Sequence, residues 1–225
     1  MVLIKESKGR KEGSGYNRLF GNKQLGHLLS RVQSGVIRAG NELEQLILDL
    51  SNHIDDLDAF LDDNAITQGG FLVSKKTLKL SRLKSNAGPD FLIFNITTQQ
   101  KHCHIIELKD GDNFDTKKAQ GEKDLLQKFQ QEVSSKLPYT TSIHICCFNQ
   151  ADKDKIIAGF KHKITRDMAM TGKELCKILS LNYAKIVEQR KKDQKNNMKF
   201  FITALLKIDK IRSHIKGQLE GVEKS

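Results

Sequence analysis

Residues 89–109, PDFLIFNITTQQKHCHIIELK, contain the two apolar runs from which the fold can be predicted. FLIFNI at 91–96 and CHIIEL at 103–108 each have the length of a β-strand and are rich in β-branched or aromatic residues. The polar connector TTQQKH between them suits a hairpin turn. The stretch therefore predicts two antiparallel strands joined by a tight turn.

The position of that turn decides which charged residues face each other. A turn at residues 99–100 places Asp90 opposite Lys109. A turn at residues 98–99 instead places Asp90 opposite Glu107. Cross-strand partners share a face of a sheet, and so do residues two apart on one strand. In either register the three charged side chains are predicted to converge at one end of a largely apolar hairpin.

A charged cluster at such a place needs a reason, because buried charges are costly unless they pair or hold a metal. Two adjacent carboxylates, Asp90 and Glu107, would attract a hard divalent cation that prefers oxygen ligands. Lys109 beside them could orient or help deprotonate an attacking water, or stabilise negative charge on a phosphate. The alternative is a surface ion-pair cluster at the edge of the hairpin.

The residues after the hairpin predict the fold class. Asp115 is a suitable N-cap for a helix whose buried stripe runs from Ala119 to Leu137, and Pro138 would end it. TSIHICCF at 141–148 then predicts a third strand. The order strand, strand, helix, strand indicates an α/β protein with a mixed central β-sheet flanked by helices.

The flanking segments are predicted to be mainly helical. Apolar residues spaced by three and four predict an amphipathic helix from about Asn41 to Asp62, with Gly40 and Asn41 as start signals. Residues 71–84 suggest a strand followed by a basic loop or second strand. Thr171 and Glu174 have capping-box spacing, and the charge run at 190–197 suggests a turn between two helices.

We therefore expect a single domain over residues 1–225. It would consist of a mobile basic arm or poorly ordered start at 1–15, a core that includes the hairpin and the helix and strand after it, and a helical C-terminal part at 151–225.

Composition limits the function classes. Hydrophobic residues make up 38% and charged residues 29%, without an apolar run long enough for a membrane span or a secretory signal, so we expect a cytoplasmic protein. The net charge of +11 favours polyanionic partners. No Gly-rich phosphate loop occurs, which argues against a nucleotide cofactor. In a strand, His102 and His104 lie on the opposite face from Cys103, and these residues lack the spacing of zinc ligands, which argues against a zinc site.

Pro89-Asp90, followed by Glu107-Leu108-Lys109 at the end of the next strand, resembles the PD-(D/E)xK nuclease superfamily. Size and layout are most similar to its type II restriction endonucleases. The resemblance implies a restriction-endonuclease-like core, a homodimer, and magnesium-dependent hydrolysis of double-stranded DNA to 5′-phosphate and 3′-hydroxyl ends. It makes the chain a single nuclease domain with its catalytic core at residues 36–150. It assigns catalysis to Asp90, Glu107 and Lys109, with Mg²⁺ on the two carboxylates.

Glu44 is a further candidate for catalysis and for the metal. It stands four residues after Gly40, which is similar to the G-x-x-x-E helix of some members of the superfamily. The other reading is a glutamate in water at the border of a helix.

Two basic stretches are candidates for DNA binding. The first turns of the helix after Asp115 suit a phosphate, and the stretch at 71–84 could line a DNA cleft. Solvated basic faces are the alternative for any one of these residues. The candidates are Lys117, Lys118, Gln120, Lys75, Lys76, Lys79 and Arg82.

Three functions fit these features. The first is a site-specific double-stranded DNA endonuclease. The second is a structure-specific repair or recombination nuclease of the same fold, and the third is a noncatalytic DNA-binding module.

Overall fold

The computed structural model describes residues 3–9, 15–63, 68–85 and 88–222. The chain divides into two compact units. The helical unit consists of Met1–Glu42 with Ala184–Ser225, and the sheet unit consists of Leu43–Tyr183. That the two act as a single nuclease domain stays a prediction.

A mixed five-stranded sheet forms the centre of the sheet unit. Its strands follow the chain in the order β1-β2-β3-β4-β5, with antiparallel pairing from β1 to β3 and parallel pairing from β3 to β5. The predicted α/β class and mixed sheet are thus confirmed, whereas the restriction-endonuclease-like core stays a prediction. The strands are β1 Gly69–Ser74, β2 Phe91–Ile96, β3 Lys101–Lys109, β4 Thr140–Cys147 and β5 Ala169–Thr171.

Helices make up most of the rest. Short 3-10 turns occur at Ile4–Glu6 and Ser134–Lys136. None of the helices in the described stretches is both long and apolar enough to cross a membrane. The helices are α1 Gly15–Phe20, α2 Lys23–Leu50, α3 Leu57–Asp62, α4 Lys75–Leu80, α5 Thr116–Val133, α6 Lys153–Gly159, α7 Gly172–Ile178, α8 Tyr183–Leu206 and α9 Asp209–Val222.

The β2–β3 hairpin settles the register. Phe91 pairs with Ile106, and the Thr97 amide donates to the Gln100 carbonyl across the turn, with an N···O distance of 3.0 Å. This is the register expected for a turn at residues 98–99, so the alternative turn at 99–100 is wrong. Continued by one residue, it places Asp90 opposite Glu107.

Helix α5 covers one face of the sheet and closes the main core. Phe129 of α5 and Phe94, Ile105 and Ile145 of the sheet are fully buried in one apolar cluster. Asp115 accepts a hydrogen bond from the Lys118 amide and caps α5 as predicted. The cap fixes where α5 begins, and Phe129 fixes which face of the helix packs on the sheet.

The helix predicted from Asn41 to Asp62 is wrong at both ends. Gly40 and Asn41 lie inside α2, and the helix stops at Leu50 because the next residues bond to β1. The Ile54 amide donates to the Leu72 carbonyl at 2.8 Å. Ile54 in this extended connection and Leu57 in α3 are both buried. The apolar spacing of three and four residues therefore continues past Leu50, although the helix ends there.

Two further expectations are corrected. After the strand at 69–74, the basic stretch is helix α4 rather than a loop or strand, because the Ser74 hydroxyl caps it by accepting from the Thr77 amide. The run at 190–197 is the middle of α8 rather than a turn. The segment 190–197 contains no Gly or Pro, and its Lys, Arg and Gln residues have a high helix propensity.

The predicted basic arm is described only in part. Residues 1–2 and 10–14 lie outside the described residues. Residues 3–9 are hydrogen-bonded to helices of their own unit. The Arg31 side chain donates to the Ser7 carbonyl at 3.0 Å, and the Ile4 amide donates to Asn197 Oδ1 at 2.8 Å.

Three histidines lie together on one face of β3 and β4. His104 Nδ1 lies 3.1 Å from His144 Nε2, and His102 Nε2 lies 2.7 Å from the Ser142 hydroxyl. Burial and, to a smaller extent, the neighbouring histidines lower the pKa of His104 to about 3. Burial likewise lowers the pKa of His144 to about 4. The cluster is therefore neutral in the folded protein at pH 7.

Acid is expected to destabilise the protein through this cluster. Because the folded-state pKa values lie below that of a free histidine, about 6.5, the cluster's contribution is complete above that pH and is lost as pH falls towards 4. Between pH 7 and pH 4 the wild type should lose about 1 to 3 kcal/mol more unfolding free energy than His104→Gln. Denaturant unfolding at several pH values measures this. His214→Gln, an exposed control on α9, should track the wild type, and a His104→Gln curve parallel to the wild type would contradict the assignment.

Candidate active site

Asp90 is held in place immediately before β2. The residue is 8% exposed, and the Leu108 amide of β3 donates to its Oδ2 at 3.0 Å. Lys75, the first residue of α4, places its Nζ 3.3 Å from Oδ1. A backbone amide on one oxygen and an ammonium on the other fix the orientation of this carboxylate.

Lys109 lies between two carboxylates at the end of β3. Its Nζ is 2.6 Å from Glu107 Oε1 and 2.7 Å from Glu122 Oε1. The three side chains are between 13% and 17% exposed. These charge-assisted hydrogen bonds are part-buried, unlike the exposed ion pairs of a surface cluster.

Glu122 was not among the residues predicted from the sequence. It lies on α5, three residues after Ala119 and four before Leu126, and both of these are buried. That spacing puts Glu122 on the buried face of the helix. A charged residue inside an apolar stripe is the signal that could have identified it.

The Glu107 carboxyl resists ionisation. Burial and the Asp90 charge together raise the pKa of Glu107 to about 7, although Lys109 opposes the rise. Burial alone would lower the pKa of Lys109, but Glu107 and Glu122 outweigh it and raise the value above that of a free lysine. Lys109 therefore stays protonated, and Glu107 is poised between its two states.

Glu44 lies within electrostatic reach of the same cluster. It is half-buried near the C-terminal end of α2. Burial raises its pKa, Asp90 raises it further, and Lys75 and Lys109 lower it. The structure thus brings Glu44 towards Asp90, as the sequence suggested, although no direct hydrogen bond joins them among the described contacts.

The charge balance of the cluster fits a divalent cation. Glu44, Asp90, Glu107 and Glu122 oppose only Lys75 and Lys109, so two negative charges are uncompensated when every group is ionised. Within the described residues, no three His, Cys, Asp or Glu side chains are arranged to hold a metal. Mg²⁺, however, takes one or two carboxylates and keeps several waters. The all-oxygen pair of Asp90 and Glu107 suits that ion in donor chemistry.

A small cavity opens beside these groups. Its volume is about 170 Å³, and Lys75, Pro89, Glu107 and Glu122 are among the residues that line it. A water occupies roughly 30 Å³, so the space suffices for a few waters or a phosphate group. A larger cavity of about 660 Å³, which His144 and the Lys153–Glu174 ion pair help to line, includes none of the predicted catalytic residues.

The residues predicted to bind DNA lie in different settings. Lys75 belongs to the cluster through Asp90. Arg82 is engaged by Asp62, with N···O distances of 2.8 and 3.2 Å. The Gln120 amide donates to Asp124 at 2.7 Å, and Lys118 Nζ lies 5.4 Å from the centre of the Phe114 ring. The exposed residues Lys76, Lys79 and Lys117 complete the set.

One curated protein matches nearly the whole chain. The type II restriction enzyme HhaII of Haemophilus parahaemolyticus is 45% identical to it over 225 residues, which cover 96% of this chain and 99% of HhaII. No protein-family model matches the chain. No solved structure matches it either.

Lys109 and Glu122 are expected to be energetically coupled. Lys109→Met leaves two buried carboxylates without their cation and should cost about 3 to 5 kcal/mol of unfolding free energy. Adding Glu122→Gln removes one of those charges, so the double variant should be more stable than Lys109→Met alone. Denaturant unfolding of the four proteins in the cycle gives the coupling energy.

The exposed Lys136 provides the matched control. Lys136→Met should change stability by no more than about 0.5 kcal/mol, with or without Glu122→Gln. Additive effects of Lys109→Met and Glu122→Gln would show that the two groups do not depend on each other.

Proposed function

We infer, from the premise that the chain belongs to the type II restriction enzymes and is a site-specific deoxyribonuclease, that Asp90, Glu107 and Lys109 form its catalytic site. We propose magnesium-dependent hydrolysis of phosphodiesters in double-stranded DNA, leaving 5′-phosphate and 3′-hydroxyl ends. The observation that carries this proposal is the pair of carboxylates on one face of the hairpin, the buried Asp90 and the largely buried Glu107, with the ammonium of Lys109 bonded to Glu107.

Family membership also decides between the functions considered from the sequence. A structure-specific repair nuclease and a noncatalytic DNA-binding module both disagree with a site-specific deoxyribonuclease. Neither is retained.

Asp90 and Glu107 would hold the magnesium ion, with Glu44 as an additional carboxylate on the same side. When bound, the ion polarises a phosphate oxygen and lowers the pKa of a coordinated water. The hydrogen bond from Leu108 and the ion pair with Lys75 orient Asp90 before any metal arrives. Preorganised ligands need little rearrangement on binding.

Lys109 acts in this proposal as a charged donor rather than a base. Glu107 and Glu122 raise its pKa, so the amine does not readily give up its proton. Its ammonium would hydrogen-bond the attacking water or a phosphate oxygen and stabilise the charge that develops on the phosphate. The water oxygen bonds to phosphorus, the bond to the 3′ oxygen breaks, and that oxygen takes up a proton.

The described residues of each chain contain one such cluster, and the strands of a duplex are antiparallel. Two copies related by a two-fold axis would place one site at each strand. We therefore propose a homodimer acting on duplex DNA. Lys76, Lys79, Lys117 and Lys118 are proposed phosphate contacts of the sheet unit.

Removal of single groups should stop cleavage. Asp90→Asn and Lys109→Met should each lower the cleavage rate at least about 100-fold, because each removes a charge from the reacting centre. Plasmid digestion in Mg²⁺, followed by sequencing of fragment ends, measures the rate and the products. The exposed controls Asp167→Asn and Lys136→Met should cut at the wild-type position and rate. Discrete wild-type bands from either site variant would refute the assignment.

Magnesium should stabilise the folded protein through the same carboxylates. A ligand at about 100 times its Kd adds roughly 2.7 kcal/mol, which corresponds to several degrees in Tm for a chain of this size. Thermal unfolding with Mg²⁺ or with EDTA measures the response without DNA or turnover. Asp90→Asn should lose the response and Asp167→Asn should keep it. The same magnesium-dependent rise in Asp90→Asn and in wild type would place the ion elsewhere.

A further inference from the structure

The two units share the charge of the chain very unequally. The helical unit contains 19 Lys and Arg residues against 8 Asp and Glu, whereas the sheet unit contains 19 of each. The entire net charge of +11 therefore belongs to the helical unit. The unit that carries the candidate active site is neutral overall.

A neutral unit provides little long-range attraction for a polyanion. Locally the difficulty is greater, because the site itself has excess carboxylate. Two cations of the sheet unit are already engaged, Lys75 by Asp90 and Arg82 by Asp62. Duplex DNA has one negative charge for about every 1.7 Å of its axis, and binding it requires phosphate neutralisation. The four lysines of the sheet unit proposed above as phosphate contacts can supply part of that neutralisation, and the rest has to come from another part of the chain.

Helix α8 of the helical unit presents a suitable row of cations. Lys191, Lys195 and Lys199 follow one another at four-residue intervals and are all exposed. Residues at this spacing lie on one side of a helix, about 6 Å apart along its axis. The row thus extends over about 12 Å, comparable with three to four phosphates at the roughly 3.4 Å spacing of one DNA strand.

The described carboxylates do not neutralise this row. None lies within 4.0 Å of the three ammonium groups, whereas the neighbouring Lys192 pairs with Glu188 at 3.2 Å. The row is therefore open to an external anion, and a pairing with DNA would not first have to break an ion pair within the protein.

Contacts inside the helical unit fix α8. The Arg31 guanidinium lies 4.9 Å from the centre of the Phe200 ring, and Asn197 accepts the Ile4 amide. Ile186 and Asp193 are buried, so one side of the helix faces the interior of the protein. The lysine row is presented on a supported helix rather than on a loop, which lowers the entropy lost on binding.

We propose that the helical unit is the DNA-docking part of the chain, and that Lys191, Lys195 and Lys199 bind the phosphate backbone of duplex DNA without reading its sequence. The proposal rests on the duplex endonuclease function given above. Affinity then comes mainly from the helical unit, and cleavage from the sheet unit.

The test compares two variants that lose the same charge from different units. Lys191→Gln/Lys195→Gln/Lys199→Gln removes the row, and Lys128→Gln/Lys136→Gln/Lys155→Gln removes three exposed lysines of the neutral sheet unit. Fluorescence anisotropy measures binding of each protein to a duplex without a cleavage site, in EDTA, between 50 and 200 mM salt. Circular dichroism and Tm check that all proteins are folded.

Each lost phosphate contact should reduce the slope of log K against log salt by about 0.9. The row variant should lose roughly 2 to 3 from that slope, Lys195→Gln alone about 0.9, and the sheet-unit variant almost nothing. Replacement of the row by arginine should restore the slope.

Equal losses from the two triple variants would mean that only total charge matters, and no loss from the row variant would mean that the row contacts something other than DNA. Either result overturns the proposal. Neither bears on catalysis, which the plasmid digest tests separately. A wild type that binds through the row but does not cut would contradict the nuclease site and leave the docking proposal standing.

Discussion

The ammonium of Lys109, held between Glu107 and Glu122, is the contact on which the site depends. It allows β3 to end in charged residues while α5 still packs on the same face of the sheet. Without this cation, Glu107 and Glu122 would be buried without compensation, which proteins rarely tolerate. The contact also joins a strand to the helix that follows it, so it ties the geometry of the site to the packing of the core.

Lys109 does not neutralise the cluster, and the proposed function depends on this remaining imbalance. Four carboxylates oppose two ammonium groups, and the pKa values of Glu44 and Glu107 rise in consequence of burial and of the charge on Asp90. A divalent cation would remove the repulsion that the fold imposes. Stability and activity thus conflict at this place, as they do at many sites that keep like charges together. In the mechanism proposed here, the neutral sheet unit would perform the chemistry and the charged helical unit would supply the attraction for DNA.

Local patterns predicted much of this arrangement. The hairpin, the caps at Asp115 and Thr171 and the shared face of Asp90 and Glu107 follow from short stretches of sequence. Expectations failed where distant residues decide the structure. Helix α2 stops at Leu50 because Ile54 bonds to β1, and β5 is only three residues long and exists through its pairing with β4. Glu122 was missed because its partner is thirteen residues away on another element.

The central claim is that Asp90 and Glu107 bind one cation. Crystals of the protein soaked in Mn²⁺, which takes similar ligands to Mg²⁺ and scatters anomalously, test it directly. The account predicts an anomalous peak with oxygen atoms of both Asp90 and Glu107 at about 2.1 Å. A peak that neither carboxylate contacts, or no peak at a concentration of Mn²⁺ that supports cleavage, would contradict it.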